Sequence, residues 1–298
     1  MKAHFKTMII SDVHLGTRGS KAKEIVQFLK IFTSDKLILN GDIIDGWQLR
    51  KSGKWKKQHT RFFKRILQMI EHHKTEVIYL RGNHDDFLDQ IIPLNLGNIS
   101  IARDYIYESF GKKYYIVHGD VFDTITTNLK WIAKLGDIGY TFLLWLNQQY
   151  NEYRLKRNLP YYSLSKVIKA KVKTAVSYIS DFEDQLSILA RIKKCDGIIC
   201  GHIHQPAIKV LGDIVYMNSG DWVETLSAIV EDFDGHWRLI YFNDPEVIEH
   251  IQEEEEEEVL EQDDDVVELR QQVELKKNMV AASAGFIAGL RPNLKSGS

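Results

Sequence analysis

The chain has 298 residues, 44% of them hydrophobic and 11% aromatic, enough to bury the core of one large domain or two modest ones. No apolar run approaches the ~20 residues needed to cross a bilayer, and the opening MKAHFKTMIISD enters strand-like sequence at once, without a signal-peptide core, so cytoplasmic residence is the expectation. The net charge of -2 conceals an asymmetry: residues 244–298 hold 15 acidic against 5 basic side chains, leaving residues 1–243 with 34 basic against 26 acidic, a balance that favours anionic partners.

In chain order, TMII (7–10) reads as a strand that runs into Ser11, Asp12, Val13 and His14. Residues 21–32 place Ile25, Phe28 and Leu29 at helical spacing, and KLILN (36–40) is a second strand ending at Gly41 and Asp42. A second helix is predicted over 59–73, with Phe62, Phe63, Ile66, Leu67 and Ile70 on one face. EVIYL (76–80) then leads into the cluster RGNHDD (81–86), and YYIV (114–117) leads into His118.

Between about 124 and 194 strand signals cease, and two or three helices broken near Pro160 form an insertion, read as a lid. GIIC (197–200) leads into GHIH with His202 and His204, and IVYMN (214–218), LSAIV (226–230) and WRLIYF (237–242) complete the strands. Cys195 and Cys200 flank a buried-looking run and read as small hydrophobes. From 246 onward EEEEEE (253–258) and DDD (263–265) form a self-repelling, solvated block, and MVAASAGFIAGL (279–290) is too short to span a membrane. The expected organisation is one α/β domain with mixed sheets over 1–245 and an acidic, flexible tail over 246–298.

Five strand-like runs thus end in side chains able to bind metal. Carboxyl-terminal strand ends are where α/β folds assemble sites, because side chains from several loops converge on a rigid scaffold. Asp12, His14, Asp42, Asn83, His118, His202 and His204 offer oxygen and imidazole donors without a thiolate, which suits two divalent ions in an open site, manganese first and iron or zinc as alternatives. Two cations sharing a carboxylate lower the pKa of an interposed water, so that hydroxide forms near neutral pH and can attack phosphorus in line. Each motif alone has an ordinary explanation, a turn aspartate or a surface histidine; the ordered set DxH, GD, GNHD, H, GHxH does not.

This set resembles the calcineurin-like metallophosphoesterase superfamily over about residues 7–243. The resemblance implies a four-layer αββα sandwich with a dinuclear centre. In it Asp12, His14 and His204 hold one metal, Asn83, His118 and His202 the other, and Asp42 bridges them. It also implies that His84 hydrogen-bonds the phosphoryl group or protonates the leaving group, and that Asp85 orients the His84 ring.

Within the superfamily, SDVHLG, NGDIIDGW and NSGDW (218–222) resemble UDP-2,3-diacylglucosamine pyrophosphatases, which cut a lipid A precursor into UMP and diacylglucosamine 1-phosphate. The apolar segment from Trp131 to Leu146 sits where that family carries an acyl-chain lid, and would equally serve helix packing. The chain departs from that family at His84, where arginine is usual, which leaves another diphosphate, a phosphodiester or a nucleic acid open as substrate.

Arg18, Arg81 and Trp47 are the candidate substrate contacts. The run RKSGKWKK (50–57) suits anionic substrates or acidic headgroups, and by itself also reads as a solvated loop. The expected partner is a phosphorylated, lipid-linked substrate at the inner membrane face; a non-catalytic scaffold binding through the acidic tail is the contrasting class.

Overall fold

The structure is a computed structural model that describes residues 3–51, 53–122, 153–154, 157 and 179–254. The chain divides into two compact units, Met1–Val247 and Ile248–Ser298. The described residues of the second unit, 248–254, are helical. Of the lid expected over about 124–194, residues 124–178 lie outside the described residues apart from short helical or turn pieces at 153–154 and 157, while 179–192 are helical; of the tail expected over 246–298, residues 246–254 are helical and those beyond 254 lie outside the described residues.

A seven-stranded mixed sheet has the order β12-β11-β1-β2-β3-β5-β4, with β1 (Ala3–Ile10), β2 (Phe32–Asn40), β3 (Glu76–Leu80), β4 (Leu94–Leu96), β5 (Ile99–Ala102), β11 (Ser227–Glu231) and β12 (Trp237–Tyr241). Its centre is parallel, β1 to β2 to β3 to β5, and both margins are antiparallel. A second mixed sheet of five strands has the order β6-β7-β8-β10-β9, from β6 (Asp104–Ser109), β7 (Lys112–Val117), β8 (Gly197–Cys200), β9 (Ala207–Leu211) and β10 (Ile214–Asn218).

The layering follows from which faces are apolar. Ile9, Ile38, Ile78 and Ile229 of the first sheet pack against Tyr114, Ile116, Ile199 and Met217 of the second, so the two sheets face each other across one core. On the far side of the first sheet, α1 (Ala22–Ile31) buries Ile25, Phe28 and Leu29, and α3 (Lys57–His73) buries Phe62, Ile66 and Met69. On the far side of the second, helical residues 179–192 bury Phe182, Leu186 and Ala190 against Tyr115, Ile198 and Tyr216. The result is the αββα sandwich. Central strands are covered on both faces, which is why their sequences are unbroken apolar runs.

Two boundaries differ from the sequence reading. Phe32, assigned to the first helix by its spacing, is already extended at φ −112° and ψ 123° and begins β2, because it pairs with Ala3 of β1. Strands β4, β5, β6 and β9 and the short α2 (Gly46–Lys51) were not expected. They lie at sheet margins or on the surface, half exposed, and interleave polar residues, so they lack the apolar run that marks a central strand. Among the described residues no helix is long and apolar enough to cross a membrane.

Candidate metal centre

Asp12 and His14 follow β1, Asp42 follows β2, Asn83 and His84 follow β3, His118 follows β7, and His202 and His204 follow β8. Asp12, His14, Asp42, His202 and His204 all adopt left-handed backbone, with φ of 53°, 49°, 52°, 69° and 55°. Each such residue costs of order 1–3 kcal/mol and persists only where its surroundings over-determine it. Here they do: Asp12 N–H donates to the Gly41 carbonyl at 3.0 Å and His14 N–H to the Asp42 carbonyl at 2.9 Å, so the loops after β1 and β2 stay paired past the sheet. Gly82 and Gly201 admit close approach, since a Cβ at either would strike the carboxylate of Asp42 or Asp12.

The two buried carboxylates are used alike. Asp12 Oδ2 accepts the His202 N–H at 2.9 Å and turns Oδ1 to the centre, 3.1 Å from His204 Nε2, 3.8 Å from His14 Nε2 and 4.0 Å from His118 Nε2. Asp42 Oδ1 accepts the His84 N–H at 2.8 Å and turns Oδ2 inward, 3.4 Å from His118 Nε2, 3.8 Å from His14 Nε2 and 3.9 Å from His84 Nε2. One oxygen of each therefore locks a loop while the other faces the imidazoles. His118 Nδ1 lies 2.9 Å from the Asn40 carbonyl, which makes that nitrogen a donor and turns Nε2 inward.

Burial alone would raise both carboxyls, yet the imidazoles of His204, His118 and His14 hold Asp12 far below the usual range, and His118 and His14 do the same for Asp42. Burial would lower His118, but Asp42 and Asp12 push it up to about 10. Two buried carboxylates facing these imidazoles need positive charge between them, which the protonated rings supply here and which bound cations would supply by displacing those protons. Asn83 Oδ1 and His118 Nε2 are moreover buried polar atoms without a hydrogen-bond partner. Donor atoms of Asp12, His14 and His204 lie within 4.8 Å of one another, as do those of Asp12, Asp42 and His118. The residues present fit divalent cations.

A family model described as calcineurin-like phosphoesterase matches residues 5–206. The chain belongs to that family. It is a hydrolase acting on phosphoester bonds, in a superfamily that uses divalent metals. No curated protein matches it. Among solved structures it is similar to an archaeal phosphodiesterase, at 14% identity and TM-score 0.36 over 79% of this chain and 98% of that one. Similar too are the phosphoesterase YfcE of E. coli, at 15% and 0.36 over 80% and 99%, and Vps29 of Entamoeba histolytica complexed with zinc, at 11% and 0.33 over 80% and 99%.

In this phosphoesterase the donor atoms of Asp12, His14, Asp42, His118 and His204 come together; His202 reaches Asp12 through its backbone N–H with its ring 5.1 Å from that of His118, and Asn83 contributes a buried Oδ1 on the loop after β3. The role expected for Asp85 is corrected. Its carboxylate accepts the Ile43 and Ile44 N–H groups at 3.1 and 2.9 Å and the Tyr79 hydroxyl at 2.8 Å, so it braces the loop carrying Asp42, and among the described residues no hydrogen bond or ion pair joins it to the His84 ring. Burial, with the charge of Asp42, raises it to about 7. Beside the His84 ring stands Asp45 instead, its Oδ2 3.1 Å from His84 Nδ1 and 3.6 Å from His14 Nδ1 while Oδ1 accepts the Gln48 N–H at the start of α2. Asp45 is three residues after Asp42, and the repeat in GDIIDG was the available signal.

Arg81 is also corrected as a phosphate contact: its guanidinium is committed to Asp120 and Asp89, joining the loop of Asn83 to that of His118. Burial would lower its pKa, and these carboxylates raise it. Trp47 is 47% exposed and packs against the His84 ring with centroids 4.4 Å apart and planes tilted by 37°. Arg18 is exposed on the loop after β1, without an ion pair among the described residues. A further residue absent from the sequence reading is Asp221 of NSGDW, whose Oδ2 lies 3.9 Å from His204 Nδ1 while it holds the 221–225 turn through Val223 N–H and the Thr225 hydroxyl.

Proposed function

We propose that this phosphoesterase hydrolyses the diphosphate of UDP-2,3-diacylglucosamine to UMP and 2,3-diacylglucosamine 1-phosphate, at the inner face of the cytoplasmic membrane, with manganese the expected metal. The observation that carries the hydrolytic reading is the convergence of Asp12 and Asp42 with four imidazoles, each carboxylate presenting one oxygen inward. The substrate reading is supported by the three segments that carry the resemblance. Ser11–Gly16, Asn40–Trp47 and Asn218–Trp222 all border this one centre: Trp222 N–H donates to the Asp12 carbonyl at 3.0 Å, and the Ser11 and Ser219 hydroxyls meet at 2.7 Å.

When bound, two divalent cations supply Lewis acidity and the charge that lets water ionise near neutral pH. By the resemblance Asp12, His14 and His204 would hold one, Asn83, His118 and His202 the other, with Asp42 shared; the donor atoms of Asp12, His14 and His204 lie within 4.8 Å of one another, as do those of Asp12, Asp42 and His118. Water adds its oxygen to phosphorus, the P–O bond of the anhydride breaks, and the leaving phosphate takes up a proton. His84, held between Asp45 and the Trp47 indole with Nε2 turned toward the centre, is the group placed to donate to the phosphoryl or leaving oxygen.

The test is UMP release from UDP-2,3-diacylglucosamine in detergent micelles with manganese. Turnover of bis(4-nitrophenyl) phosphate without UMP release would remove this substrate and leave the hydrolase; no turnover of either by metal-loaded protein would remove both.

A further inference from the structure

From Gly46 to Ile70 the chain carries eight basic residues and no acidic one, although acids outnumber bases 41 to 39 overall. Arg50 is paired with Asp86 at 2.9 Å and Arg65 is committed to the Leu29 carbonyl at 2.7 Å. The other six, Lys51, Lys54, Lys56, Lys57, Arg61 and Lys64, are exposed and make no ion pair among the described residues. Charges that serve only solubility are interspersed with the opposite sign; a single-sign stretch costs self-repulsion and is relieved by an anionic surface.

Two indoles stand in the same stretch, Trp47 at 47% and Trp55 at 45% exposure. Both have their N–H satisfied inside the molecule, Trp47 by Asp86 at 3.0 Å and Trp55 by the Thr60 hydroxyl at 2.9 Å. Each also has a neighbour ring, His84 at 4.4 Å for Trp47 and Phe63 at 6.1 Å and 20° for Trp55. Each leaves part of a large apolar ring facing outward, and exposed indoles are enriched at the headgroup level of a bilayer.

We propose that the face formed by residues 47–51 and 53–64 docks the enzyme on an anionic lipid bilayer, its cations on headgroup phosphates and Trp47 and Trp55 at the acyl boundary. This rests on the lipid-linked reading of the substrate and adds the surface that brings the enzyme to it. Because Trp47 covers His84, the docking face and the rim of the metal centre are continuous. A bilayer-held diphosphate would then reach the centre without leaving the membrane.

The experiment uses the full chain and vesicles of phosphatidylcholine with or without phosphatidylglycerol. Wild type is expected to sediment with the anionic vesicles only, and to be released by salt. The variant Lys54→Gln/Lys57→Gln/Arg61→Gln/Lys64→Gln is expected to lose about a thousandfold in partitioning. Its manganese-dependent turnover of bis(4-nitrophenyl) phosphate should be unchanged, which shows that it folds. Equal binding of wild type to both vesicle types, equal binding of the variant to anionic vesicles, or wild type that ignores vesicles while binding a single-stranded oligonucleotide through these cations would each overturn the proposal. UMP release in micelles reads the substrate assignment without a bilayer, so the two can fail separately.

Discussion

His84 Nδ1 lies 3.1 Å from Asp45 Oδ2, so the imidazole beside the metal ligands is steered by the aspartate that also starts α2. The pair joins the loop after β3 to the loop after β2. Asp45→Asn is expected to keep metal and lower kcat about 10–100-fold, whereas His84→Ala should remove about 3–4 kcal/mol of transition-state stabilisation. The double variant should cost less than the sum, because Asp45 acts through His84. Steady-state kinetics with metal analysis on the same preparations checks this; an additive double variant would separate the two residues.

Removing Asp42 acts differently. Its inward oxygen faces His118, His14 and His84 at once, so Asp42→Ala should lose metal as well as turnover. Chelation of the wild type should abolish hydrolysis and lower the melting temperature, with both restored by manganese, since ligand that binds only the folded state stabilises it. Thermal melts with and without manganese measure it, and an unchanged melting temperature in wild type would contradict a metal held by these groups.

Arg81 and Asp120 tie together the two loops that carry Asn83 and His118, one from each sheet. Asp120→Ala leaves a guanidinium that is only 21% exposed facing Asp89 alone. A loss of about 1–3 kcal/mol in stability is expected, together with about a tenfold loss in manganese affinity. Denaturant unfolding and metal titration read the two effects, and Asp120→Glu should restore part of both. Full metal affinity in Asp120→Ala would reduce the pair to a stability contact.

The thiols should be inert in the folded protein. Burial pushes Cys200 up to about 12, and Cys195 is also raised, first by burial and then by Asp196. Neither should react with a maleimide at neutral pH until denaturant is added, as mass spectrometry would show; rapid labelling of native protein would contradict the packing around β8.

Much of this was legible in one dimension. Central strands such as β3 and β8 announce themselves because, covered on both faces, they must be apolar throughout, and their carboxyl ends expose the ligand residues in order. α1 and α3 were readable from a one-sided apolar stripe. The marginal strands β4, β6 and β9 were not, because half-exposed edges tolerate almost any side chain and are decided by the neighbour they pair with.

Which residues could bind metal, and in which loops, was settled by the sequence itself, since donor chemistry belongs to side-chain type. Which carboxylate stands beside which imidazole was settled only by the tertiary structure. Asp45 and Asp85 are both near His84 along the chain or in the loops, but left-handed turns and the close approach at Gly82 aim one at the ring and bury the other under backbone amides. A side chain's direction depends on backbone dihedrals and on contacts between residues tens of positions apart, and neither is written in the order of the letters.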